Sequence, residues 1–159
     1  MNPKKFKPSH LFIGIAILIT LEILLIHFLP VVAANEIFIL IFALLGSIIN
    51  IYVSIEAIEE VKGRLKMLGF LSLIVLEFIL FFALQYWFLV SVQSTSFPTL
   101  PTDPISLILH STMIFVFNPL FIAETLAGRT LLLIHTLSSL ALVLFILQNI
   151  WQLRNSRTS

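Results

Sequence analysis

Four apolar segments constrain this chain more than any other feature: Leu11–Leu29, Ile37–Ala57, Met67–Val92 and Thr130–Leu153. At 1.5 Å of rise per residue, each covers roughly 30 Å as a helix, the thickness of a bilayer's hydrocarbon core. Across the whole chain 59% of residues are hydrophobic and only 11% are charged, with a mean hydropathy of +1.10. A soluble domain of 159 residues cannot hide that much apolar surface, so the expected class is an all-α integral membrane protein. The chain has no cysteine, which excludes disulfides, thiolate metal sites and cysteine nucleophiles. No basic patch interleaved with aromatics points to nucleic acid. The first segment has the basic flank of a signal peptide, in Lys4, Lys5 and Lys7. Its apolar core of about 19 residues exceeds the usual ~7–15, which favours an uncleaved span.

Between the third and fourth segments lies a stretch of a different kind, HSTMIFVFNPLFIAETLAGRTL from His110 to Leu131. Asp103-Pro104 is a helix-start signal, with Asp as cap and Pro at the first helical position. The helix should run from Ile105 to about Ile114, Asn118-Pro119 should break it, and a new helix should begin near Glu124-Thr125. Charge bears on whether residues 104–126 cross the membrane. If they dip in and return, Lys4, Lys5, Lys7, Lys62, Arg64, Lys66, Arg154 and Arg157 share one side, and only Arg129 lies opposite. The positive-inside rule favours that arrangement: four spans, a re-entrant helix and loop between spans three and four, and both termini cytoplasmic in a plasma (inner) membrane. The segment EAIEEVKGRLK (residues 56–66) reads as a solvated helical connection, and STSFPTLPTDP (residues 94–104) as an irregular surface loop.

A span, an outer loop, a short re-entrant helix, a loop and a final span together resemble the pore module of tetrameric potassium channels. The TLAGR run, with Thr125, Leu126, Gly128 and Arg129, matches the Thr-x-x-Gly-Arg signature before the inner helix of that family. Laid on without gaps, Thr112 falls on a pore-helix threonine and Val116 on the filter valine. The six filter positions are then Phe115, Val116, Phe117, Asn118, Pro119 and Leu120. Ser138 and Ser139 fall near the family's hinge glycine, and a Ser pair supports a helix bend. The resemblance implies residues 67–153 as a pore module, residues 1–66 as a tail and two-helix hairpin with a polar connection, and residues 154–159 as a cytoplasmic tail. It also implies a homotetramer passing monovalent cations. Sliding the register to put Asn118 on the family's aspartate sets Phe115 and Phe117 on its two glycines, so neither register supplies the residue that permits the filter's positive-φ backbone. The expectation is therefore a degenerate filter that is non-selective, altered or non-conducting.

Ionisable residues inside spans are costly and by default suggest function. Glu22 and Glu77 fall at about 16 Å and 15 Å from the inner end of their spans, at 1.5 Å per residue. Ser138 and Ser139 come out at about 12–14 Å from the outer end of theirs, near the same plane. One reading of this polar layer is a proton- or cation-handling pair. The other is neutral acids hydrogen-bonded across helices. The second reading of the whole chain follows from it: a non-channel accessory or scaffold bundle, or a small transporter using Glu22 and Glu77. Ser47, Asn50 and Ser54, with Gly46, read as residues that allow close helix packing. Tyr86, Trp87 and Trp151 fit interfacial belts. His27, His110 and His135 have no zinc-motif spacing, so no metal and no cofactor are expected. No phosphate loop or nucleophile elbow appears, and no enzyme is expected. The partner named by composition is the lipid bilayer.

Overall fold

The computed structural model describes residues 8–28, 35–61 and 64–155. Expectations for Lys4, Lys5, Lys7, Lys62 and Arg157 lie outside these residues, as do those for the side chains of His27, Glu59, Glu60, Arg64 and Arg154. Among the described residues five helices follow one another: α1 (Pro8–Phe28), α2 (Glu36–Glu60), α3 (Arg64–Val92), α4 (Pro104–Phe115) and α5 (Leu126–Asn155), with a short 3-10 turn at Ser94–Ser96. No strand occurs among the described residues.

Three of these helices are long and apolar enough to cross a membrane: Glu36–Ile55 in α2, Leu65–Val92 in α3 and Leu126–Trp151 in α5. In α1 the apolar stretch with described side chains, Ile13–Leu24, is shorter. At 12 residues, α4 reaches only about 18 Å and cannot span.

Helix α3 is the axis of the fold, because α1, α2, α4, α5 and the 3-10 turn all pack on it. From Phe78 to Trp87 every residue of α3 is buried, with no solvent-facing stripe. That is how an all-apolar helix behaves at the centre of a bundle. Helices α2 and α5 are different: 22% of each apolar window is buried, against 61% for α3. Their outer faces carry Phe38, Ile48, Ile49, Leu133, Leu137 and Leu144, all exposed. Water does not tolerate such surfaces, whereas lipid tails cover them without cost.

The helix ends follow local chemistry. Asn35 caps α2, its side chain accepting from the Ile37 N–H at 3.0 Å. Asp103 caps α4 by accepting from the Ser106 N–H at 3.0 Å, with Pro104 at the first helical position. Hydrogen bonds from the Ser106 side chain and backbone hold the exposed Asp103 carboxyl below the usual carboxylate range. The polar connection after α2 is mostly helix: α2 runs to Glu60, and α3 has begun by Arg64. Residues 94–104 are not wholly surface, since Ser96, Phe97 and Leu100 are buried. Helix α5 begins at Leu126, one turn before the start of the long apolar run at Thr130, and passes unbroken through Ser138 and Ser139.

Candidate functional site

Helix α4 ends in a Schellman motif. The Phe117 N–H donates to the Ile114 carbonyl at 2.8 Å, and the Asn118 N–H to the Met113 carbonyl at 2.8 Å. The residue turning the chain is Phe117, with φ at 62°. Glycine usually takes this position, and a side chain there costs about 1–2 kcal/mol. Val116, Phe117, Asn118, Pro119 and Leu120 are all exposed on the surface of the chain. The other two filter-like residues face inward in part. Phe115 sets the edge of its ring against Phe78, with centroids 5.9 Å apart, and Thr112 returns its hydroxyl to the Ile108 carbonyl at 2.8 Å.

The TLAGR run has a structural account. Thr125 caps α5, its hydroxyl accepting from the Gly128 N–H at 3.1 Å. That hydroxyl also lies 2.9 Å from Ser96 Oγ and donates to Gln93 Oε1 at 3.0 Å, tying the loop to the end of α3. A Cβ on Gly128 would meet the Ser96 carbonyl oxygen at 3.0 Å and the Phe97 ring at 3.3 Å, so this helix start needs glycine for close approach. The Glu124 N–H donates to that same Ser96 carbonyl at 3.0 Å, and Arg129 Nε donates to the Ala123 carbonyl at 3.3 Å. The loop's return is thereby held at both ends.

Behind the loop is a cluster that spacing in the sequence does not reveal. Tyr86 of α3, His110 of α4 and His135 of α5 are fully buried together. His110 is boxed by the rings of Tyr86 at 4.7 Å, Phe121 at 5.3 Å and Phe97 at 5.4 Å. His135 stacks flat on Phe82 at 3.9 Å, and its Nδ1 lies 3.3 Å from the Tyr86 hydroxyl. Both ring nitrogens of His110 and Nε2 of His135 have no hydrogen-bond partner. Tyr86 is therefore a core residue rather than part of an interfacial belt, and Trp87 is also buried, because α4 and the 3-10 turn fold over the end of α3. Trp151 is exposed. No group of three or more metal-ligating side chains forms among the described residues.

The structure brings Glu22 and Glu77 together and divides the rest of the expected polar layer. Both carboxyls are buried, line one cavity and lie close enough to interact electrostatically. Glu77 accepts a hydrogen bond from the Asn50 amide. Ser138 instead donates to Ser47 of α2 at 3.1 Å, and Ser139 is buried without a partner. Helix α2 thus stands between the carboxyls and the serines. Gly46 permits the approach of α2, since any Cβ there would enter the Phe81 ring.

An all-α membrane protein built on a central apolar helix is the class this architecture defines. Compared with family models, curated proteins and solved structures, the chain matches none.

Proposed function

We propose that the chain is a pore-like subunit whose copies assemble around the loop after α4. In this reading α1, α2, α3 and α5 cross the membrane, α4 and residues 116–125 enter and return, and both termini lie on the cytoplasmic side. The observation that carries it is the non-helical backbone at Val116–Leu120, which lies on the protomer surface between two long apolar helices. Lipid cannot hydrogen-bond exposed N–H and C=O groups, so such backbone needs protein or enclosed water around it. A symmetric ring of protomers supplies both. Four copies are the number implied by the likeness to potassium-channel pore modules.

Monovalent cations would pass beside Val116, Phe117 and Asn118, with the phenyl ring shaping the constriction. The φ of 62° at Phe117 belongs to a helix C-cap, and Pro119 fixes its own φ. Neither produces the run of inward carbonyls that strips a potassium ion of water. The reading is therefore of a pore without potassium selectivity, or of one closed by stacked phenyl rings.

The test uses the natural absence of cysteine. A Phe117→Cys chain in native membranes should cross-link on oxidation, and lysine-reactive cross-linking of the unaltered chain should give a ladder ending at four. A chain that stays monomeric under both treatments sinks the assembly. Strong potassium over sodium selectivity in a liposome flux assay sinks the account of the filter.

A further inference from the structure

Helices α1 and α2 both pack on α3 but barely touch each other. They leave a cleft with a cavity of about 350 Å³, within the range of small-molecule sites. Its floor is one face of α3, where Phe70, Ile74, Glu77, Phe81 and Leu84 recur at intervals of three and four residues. That face runs about 20 Å, and Glu77 stands at its middle. Glu22 enters from α1 and Asn50 from α2 at the same level. Above and below this polar spot the lining is apolar. Leu18 and Leu21 of α1 and Ile49 and Val53 of α2 stand exposed at its rim, so the cleft opens sideways, towards lipid.

The polar spot is unsatisfied. Glu22 keeps 3% of its surface exposed, and its Oε2 has no hydrogen-bond partner. The Asn50 amide is given to Glu77, and the Ser54 hydroxyl is spent on the Asn50 carbonyl at 2.7 Å. No Lys, Arg or His among the described residues lines the cleft. An acceptor without a donor, two carboxyls without a cation, and apolar walls together specify an occupant: an apolar body with a hydrogen-bond-donating, positively charged head. We propose that this cleft binds a lipophilic primary amine drawn from the bilayer, its ammonium donating to Glu22 and Glu77 and its alkyl chain lying along roughly 10 Å of either half.

A bare metal cation fits less well. The backbone carbonyls of all three walls belong to helices and are engaged there, so they cannot replace a hydration shell. The apolar halves of the cleft would also contribute nothing to it. The cleft is formed by α1, α2 and α3, away from the loop after α4, so the proposal stands independently of any pore.

The test is equilibrium binding of radiolabelled decylamine to the full chain in phosphatidylcholine nanodiscs, with uptake by empty discs subtracted. A saturable component of one amine per chain is expected. Decanol, of equal length and without charge, should not displace it at equal concentration. Glu22→Gln should weaken binding by about tenfold or more, as a lost charge-assisted hydrogen bond does. Leu18→Trp, which fills the cleft from its exposed rim, should abolish binding while the melting temperature is kept. Uptake no greater than in empty discs overturns the proposal, and so does equal affinity in a folded Glu22→Gln chain. Should Glu22→Gln fail to fold, decanol competition on the unaltered chain decides: equal displacement makes the cleft a plain apolar pocket and overturns the charge argument. Saturable sodium binding that Glu22→Gln abolishes and that decylamine does not compete with also overturns it.

Discussion

Of the described places that bury polar atoms without partners, two that flank α3 are built differently. Around α1, α2 and α3, Glu22 and Glu77 border an open cleft. Around α3, α4 and α5, His110 and His135 are packed against Tyr86, Phe82, Phe97 and Phe121 at ring distances of 3.9–5.4 Å. The contrast comes from α4. It fills the groove on one side of α3, and Ser111 anchors it by donating to the Ile79 carbonyl at 2.7 Å. On the other side none of the described helices takes that place between α1 and α2. An orphaned acceptor beside free volume invites a ligand. Orphaned nitrogens wrapped in rings carry a desolvation cost of about 1–3 kcal/mol that aromatic packing offsets.

That contrast can be broken from its sealed side first. His135→Ala removes the ring stacked on Phe82 and should cost about 2–4 kcal/mol, as large-to-small core changes do. His135→Phe keeps the stack but strands the buried Tyr86 hydroxyl that lies 3.3 Å from Nδ1, so it should cost about 1–2 kcal/mol, less than His135→Ala. Reversible unfolding in mixed micelles compares the two. Equal losses would show that the imidazole nitrogens, not the stack, carry the cluster.

From the open side, Gly46→Val forces a side chain into the Phe81 ring and should cost about 1–3 kcal/mol by overpacking. It should also shift α2 away from α3, which a faster exchange of amides at Ile49–Val53 would register. Stability and exchange rates left unchanged would mean that the α2–α3 contact is loose.

The seal itself depends on the loop that follows α4. Thr125→Val removes the cap of α5 and the links to Ser96 and Gln93, and should cost about 1–2 kcal/mol. Thr125→Ser keeps the hydroxyl and should recover most of it. If Ser and Val behave alike in the same unfolding assay, the hydroxyl network is incidental.

The smallest effect is expected at Asp103. Its lowered folded pKa makes the cap a stabilising term present at neutral pH and lost as pH falls through that lowered value. The Ser106 amide should therefore keep its protection down to mild acid and lose it only below the usual aspartate range, near 3.9. Asp103→Asn should remove the pH dependence and keep the cap. A Ser106 exchange profile that stays flat in strong acid would count against the hydrogen bond.

Much of the fold was legible because it is local. Asp103-Pro104 and Asn118-Pro119 bracket α4, whose observed bounds are Pro104–Phe115. Caps and proline act within one turn of chain, so no tertiary information was needed. The long apolar runs likewise marked α2, α3 and α5, because lipid imposes length and composition directly. The turn at Phe117 was not legible, since its Schellman geometry normally takes a glycine that the sequence lacks. Nor was the role of Thr125 and Gly128, which depends on where the Ser96 carbonyl comes to rest.

The sequence by itself pointed to a bilayer, marked the long apolar helices and the bounds of α4, and set Glu22 and Glu77 at matching distances along their segments. Only the tertiary structure decided who meets whom. It gave Asn50 to Glu77 and Ser47 to Ser138, and it drew Tyr86 off any interface to lie between His110 and His135. The physical reason is rotational. Hydrophobicity fixes a helix in depth, but a helix apolar on nearly every side, such as α3, carries no broad stripe to fix its rotation. Its partners are then chosen by shape, through a glycine at α2, rings at α4 and α5, and a few polar atoms that must find one another.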